Sequence, residues 1–155
     1  MKIINPATEE IIQDIPEDSR ESAEQKFKQA KEAQRAWAST PLQQRIACIE
    51  KFHGLLDEEK DELAKTLTSE MGKPLQQSYN ELNGARTRIK FFIDQSEKYL
   101  ADEWITNEGA TKEKIVYEPL GVIANISAWN YPYLVGVNVF IPALIGGNAV
   151  LYKPS

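Results

Sequence analysis

Apolar side chains recur with helical spacing through much of residues 19–100, and past Pro119 they gather into nearly uninterrupted runs. From about Ser19 to Ser39, Ala23, Phe27, Ala30 and Trp37 share one helical face, with Gln34 as a polar exception. A second helix is expected to start at Thr40. Thr40 is its candidate cap, Pro41 suits the first turn, and Gln43 sits where a capping box places Glu or Gln. Its apolar face is Leu42, Ile46, Ile49, Phe52, Leu56, Leu63 and Leu67, with a phase shift near Gly54. Gly72, ahead of Pro74, ends it. A third helix runs from Pro74 to about Leu100 and carries Leu75, Tyr79, Leu82, Ile89, Ile93 and Leu100.

Two segments break this rhythm. The opening KIINPATEEIIQDIP reads as two short strands around an Asn5-Pro6 turn. In residues 101–118, Thr106 to Gly109 form a turn. Glu103–Ile105 and Glu113–Tyr117 flank it and can pair as strands. The alternation of Lys114, Ile115 and Val116 fits an exposed edge.

Beyond Pro119 the order is strand, loop, helix, strand. Gly121–Ile126 reads as a buried strand and Ser127–Pro132 as a loop. Tyr133–Ile145 is expected to be a helix, kinked or broken at Pro142, since proline lacks the amide donor. Gly146-Gly147-Asn148 stops it, and Ala149–Lys153 is the second strand. This order predicts an α/β fold with a right-handed parallel crossover. Ligands of open parallel sheets bind at the carboxyl ends of the strands. Trp129 and Asn130 follow one such end, and Lys153 closes the other.

Charge sharpens the division. Eighteen basic and 23 acidic residues leave a net charge of −5, which argues against a dedicated nucleic-acid binder. From Pro119 to Ser155 the only charge is Lys153. The most apolar window, Tyr131 to Tyr152, is interrupted by two prolines and by Gly146-Gly147, so a buried core is expected rather than a membrane span. The start, MKIINPATEE, lacks the apolar core of a signal peptide, and a cytoplasmic location is expected. Cys48 is the single cysteine and His53 the single histidine, too few for an ordinary zinc site. Cys48, between Ala47 and Ile49, reads as a small buried apolar residue, and Glu70 and Glu81 read as helix charges. Neither a GxGxxG nor a Walker phosphate loop is present.

Two segments are specific. PLGVIANISAWNYPY, followed by IPALIGGNAVLYKPS, resembles the aldehyde dehydrogenase superfamily, with its W-N-[FY]-P turn and its K-P-S element. Glu70-Met71-Gly72-Lys73-Pro74 resembles the family's E-x-G-K-P element, and Asn5-Pro6-Ala7-Thr8 its N-P-A-T turn. Ala128 departs from the proline usual before the tryptophan. Within the superfamily the sequence looks most like semialdehyde dehydrogenases.

The resemblance implies NAD- or NADP-dependent oxidation of an aldehyde to a carboxylic acid by a cysteine thiolate and a glutamate-activated water. Asn130 matches the family's oxyanion-stabilising asparagine; by its neighbours alone it is also an ordinary turn residue. Lys153 matches the lysine that holds the adenosine ribose, and is otherwise a solvated strand-end lysine. Ile126, Ser127, Trp129 and Asn130, with Lys153, Pro154 and Ser155, match the cofactor-binding turns. By residue type Trp129 could equally be core. Three parts are implied. Residues 1–100 are an N-terminal hairpin and helices, and 101–118 an oligomerisation-type hairpin. Residues 119–155 are the incomplete start of a Rossmann-like NAD(P)-binding sheet. Family members are much longer, and the catalytic cysteine and glutamate match nothing here. The chain is therefore expected to be an inactive N-terminal fragment whose parent acts on a small aldehyde, with self-association through the hairpin. The alternative is a non-catalytic assembly or binding module.

Overall fold

The computed structural model describes residues 1–154; Ser155 lies outside the described residues. The chain opens with the antiparallel pair β1 (Lys2–Ile4) and β2 (Ile11–Asp14). Asn5 folds the turn between them, its Oδ1 accepting from the Ala7 amide at 2.9 Å. Four helices follow: α1 (Arg20–Ser39), α2 (Leu42–Glu58), α3 (Lys60–Met71) and α4 (Leu75–Tyr99). Next comes the antiparallel hairpin of β3 (Glu103–Thr106) and β4 (Glu113–Ile115). The chain closes with β5 (Val122–Ile126), α5 (Pro132–Ile145) and β6 (Ala149–Lys153). β5 and β6 are parallel, as the crossover pattern requires.

The core forms where α5 lies on α2 and α4. Ile46, Ile49 and Leu56 of α2, Ala85 and Ile89 of α4, and Val137, Ile141 and Ile145 of α5 are all buried. α5 also comes close to β6, because a Cβ at Gly136 would lie 2.7 Å from the Tyr152 hydroxyl oxygen. α1 contributes no fully buried residue, and Phe27 is exposed despite its place on the apolar stripe. Two polar anchors hold α1 instead. The Trp37 indole donates to the Leu144 carbonyl at 2.8 Å, and Gln34 Nε2 donates to the Gly147 carbonyl at 3.0 Å. The polar exception in that stripe is thus a contact.

Several expectations change. The single helix from Thr40 to Gly72 is two helices, divided at Glu59 (φ −93°, ψ 9°), while Gly54 stays inside α2. Thr40 closes α1 rather than capping α2: its hydroxyl donates to the Ala36 carbonyl, and Pro41 stands at the α2 start. Cys48 is exposed, because it lies about 200° around α2 from Ile46 and so points off the buried stripe. α5 runs unbroken through Pro142 to Ile145. Gly72 does end α3, with a left-handed φ of 71°. A Cβ there would meet the Pro6 ring at 2.7 Å, so this glycine also lets the first turn of the chain dock on the end of α3.

Candidate functional site

Parallel pairing makes the ends of β5 and β6 finish side by side. Ile126 is the register partner of Lys153, and the Ser127 amide donates to the Lys153 carbonyl at 3.1 Å. Ile126 is 79% exposed and Lys153 is exposed, so both face open space at the strand ends. Ser127 is buried, and its Oγ has no hydrogen-bond partner among the described residues. A buried hydroxyl left unpaired is costly, so this one fits a bound polar group. The hydroxyls and phosphates of a dinucleotide meet that requirement, with Lys153 as the adjacent cation. Pro154 continues past β6 and is exposed; the expectation for Ser155 lies outside the described residues.

The loop after β5 carries Trp129 and Asn130, both exposed. At 66% exposure Trp129 is not part of the core. The amide of Asn130 is therefore free to meet a ligand, and its backbone is held from elsewhere. Lys73, just before α4, donates from Nζ to the Asn130 carbonyl at 2.7 Å. The same ammonium donates to Glu81 Oε2 at 2.6 Å and lies 4.3 Å from the Tyr131 ring centroid. The other Glu81 oxygen, Oε1, accepts from the Tyr133 amide at 2.8 Å and the Leu134 amide at 3.2 Å.

Glu81 is thus a carboxylate from α4 seated on the first turn of α5. The first amides of a helix lack partners within it, and its start favours negative charge. Tyr131, the residue before α5, supplies no side-chain cap, and Glu81 takes that place from 52 residues upstream. Glu81 is 2% exposed. Reading it as an ordinary helix charge missed this role. One signal was available: Glu81 falls on the buried stripe of α4 with Ser78, Leu82, Ala85 and Ile89, where a lone charge needs a partner. Burial, and after it the carboxylates of Glu70 and Glu81, raise the Tyr133 phenol above its ordinary value.

A hollow of about 400 Å³ opens beside the loop. Pro132, Tyr133, Tyr152 and Pro154 line it from α5 and the end of β6, and Phe52, Leu56, Leu63 and Leu67 from α2 and α3. Among the described residues no helix is long and apolar enough to cross a membrane.

Comparison with known proteins identifies the family and the fold. The model of the aldehyde dehydrogenase family matches residues 1–155. The chain is 35% identical over 150 residues to a probable succinate-semialdehyde dehydrogenase [NADP(+)] of Synechocystis, covering 97% of this chain and 33% of that protein. It is 33% identical to a 3,6-anhydro-alpha-L-galactose dehydrogenase of Streptomyces coelicolor, covering 100% and 31%. Among solved structures, glyceraldehyde-3-phosphate dehydrogenase of Methanocaldococcus jannaschii, complexed with NADP, superposes with a TM-score of 0.94 at 28% identity, covering 100% of this chain and 34% of that one. A betaine aldehyde dehydrogenase variant of Staphylococcus aureus with NAD+ bound gives 0.93 at 30% identity, covering 100% and 32%. The chain spans about a third of the length of these relatives. With its fold and its whole described length matched, the chain belongs to the aldehyde dehydrogenase family.

Proposed function

We propose that this chain is the opening part of the cofactor domain of an NAD(P)-dependent aldehyde dehydrogenase, one that oxidises a small aldehyde to a carboxylic acid. A semialdehyde is the favoured substrate class, because the Synechocystis relative carries that name. The observation that carries the reading is the meeting of Ile126, Ser127 and Lys153 at the ends of the parallel pair, with Asn130 on the adjoining loop.

Each residue has a physical part. Lys153 offers a cation to the ribose and phosphates of NAD or NADP, and the buried Ser127 hydroxyl offers a hydrogen bond. Ile126 and Trp129 supply exposed apolar walls for the cofactor cleft, and Pro154 continues it. When bound, NAD(P) supplies the hydride acceptor of the oxidation. Asn130 donates its side-chain N–H to the aldehyde oxygen as negative charge develops there, worth about 3–4 kcal/mol of transition-state stabilisation. The thiolate and the glutamate base come from outside these 155 residues, and the chain alone is catalytically inert. Its acidic balance suits neither nucleic acid nor an anionic membrane, and a cytoplasmic location fits the reaction.

The test is an aldehyde-dependent NAD(P)H absorbance assay on this chain and on a longer product that carries it as its opening part. Activity in the longer product alone is expected. Activity in the 155-residue chain overturns its inertness and makes Cys48 the first residue to mutate. Inactivity of both, across an aldehyde panel, overturns the reaction.

A second reading, an assembly module, draws on one observation. The β3–β4 hairpin exposes Trp104 (50%), Ile105 (60%) and Tyr117 (52%) on residues 101–118. Strand addition between two copies would cover them and yield a homo-oligomer. Light scattering after size exclusion decides it: a dimer growing with concentration is expected, and a clean monomer at high concentration removes it.

A further inference from the structure

The Lys73–Glu81 pair has no part in the chemistry proposed above, yet Lys73 touches the loop that performs it and Glu81 the first turn of the helix that follows. Lys73 reaches Asn130 through the backbone carbonyl, at 2.7 Å, leaving the Asn130 side-chain amide free. Glu81 holds the next turn through the amides of Tyr133 and Leu134. Between these contacts lie Tyr131, whose ring faces the Lys73 ammonium, and Pro132, whose φ is restricted by its own ring. The chain on the C-terminal side of Asn130, from its own carbonyl to Leu134, is therefore held by a single ion pair with Nζ···Oε2 at 2.6 Å. The pair is largely shielded from water: the Glu81 side chain is fully buried and that of Lys73 is 12% exposed. In such surroundings charge-assisted hydrogen bonds are short and directional. The Lys73 hydrogen bond restrains the peptide leaving Asn130 and so limits how far the residue can turn.

We infer that Lys73 and Glu81 are positioning residues for the reaction: the pair holds Asn130 in the orientation its amide needs to meet the developing oxyanion. This rests on the reading of Asn130 given under Proposed function. An oxyanion donor works only within hydrogen-bond reach of where the charge will form, and small displacements are costly. A neutral cap would satisfy the same α5 amides but could not hold the ammonium that carries the Asn130 carbonyl.

The experiment is a double-mutant cycle in the NAD(P)-loaded holoenzyme that carries this chain. Asn130→Ala is expected to lower kcat about 10²-fold. Lys73→Met is expected to lower kcat about tenfold with KM for cofactor little changed. Glu81→Gln keeps an oxygen for the two α5 amides while removing the charge that seats Lys73, so it is expected to fold and to lose kcat to a similar extent. The decisive variant is Asn130→Ala with Lys73→Met. If the pair acts through Asn130, adding Lys73→Met to Asn130→Ala costs little more. Independent, multiplying losses overturn the inference, as does full kcat in both Lys73→Met and Glu81→Gln. Unchanged kcat in Asn130→Ala is a different failure: it removes the oxyanion reading itself and the positioning role with it. Where Lys73→Met does not fold, Lys73→Arg replaces it; the guanidinium keeps the charge but not the single-point geometry. Full kcat in Lys73→Arg overturns the inference, and a loss that disappears in the Asn130→Ala background supports it.

Discussion

The two ends of α5 are held by opposite kinds of chemistry. At its start, two amides meet a buried carboxylate, and that carboxylate meets a lysine. At its finish, carbonyls meet neutral donors: the Trp37 indole on Leu144, the Gln34 amide on Gly147, and the Asn148 side chain on Ala143. Every helix leaves amides at one end and carbonyls at the other, and here distant sequence satisfies part of each set. The charged end adjoins the loop with Asn130; the neutral end adjoins the turn into β6. Charge sits where a backbone must be aimed, and neutral hydrogen bonds sit where elements need only be joined.

Breaking the charged end should cost most. Glu81→Ala strips two amides of their acceptor and leaves the Lys73 ammonium without its partner, so a loss of about 3–5 kcal/mol is expected by denaturant unfolding. A loss no larger than that of a surface substitution would erase the difference between the ends. At the neutral end Asn148 is the strongest tie. Its Oδ1 accepts from the Gly121 amide at 3.0 Å while Nδ2 donates to Ala143, joining the start of β5 to the end of α5. Asn148→Ala should cost about 2 kcal/mol in the same measurement. Trp37→Phe keeps an aromatic ring but removes the indole donor to Leu144, and about 1 kcal/mol is expected. Should Trp37→Phe destabilise more than Glu81→Ala, the ranking of the ends is reversed.

The smallest effect separates the ends by pH. The Tyr133 phenol is raised above the ordinary value of 10.0, first by burial and then by Glu70 and Glu81. The folded state thus prefers the neutral phenol. Its contribution to stability is complete below the unfolded value and is lost as pH rises through the folded one. Thermal melts of Tyr133→Phe should fall less between neutral and strongly alkaline pH than those of the unmodified chain. Equal slopes would mean that the phenol ionises without opposing the carboxylates beside it.

How much was legible depended on how local the cause was. β5, its loop, α5 and β6 could be read from apolar runs punctuated by proline and glycine, because strand and turn preferences act within a few residues. The parallel pairing followed from the strand–helix–strand order. The break at Glu59 left no such mark, since no proline or glycine stands there. Thr40 misled for the opposite reason. Two helices compete for it, and the carbonyl of Ala36 took its hydroxyl. Cys48 misled because apolar neighbours in sequence are not neighbours on a helix face.

The candidate site divides the same way. Asn130, Lys153 and the turn around Ser127 were visible as polar residues and turns inside an otherwise apolar stretch. Glu81 was not, although its place on the buried stripe of α4 marks it in hindsight. Its meaning depends on what lies opposite, and Tyr133 and Leu134 are more than 50 residues away.

The sequence by itself determined the order of the elements, which polar residues follow the strand ends and the family to which the chain belongs. Only the tertiary structure decided which groups meet: Ile126 with Lys153, Trp37 with Leu144, Lys73 with the Asn130 carbonyl, and Glu81 with the first turn of α5. The reason is physical. Local preferences are set by each residue's own backbone and side chain, whereas a buried charge or an unpaired helix amide is satisfied only by the partner that folding brings within hydrogen-bond reach.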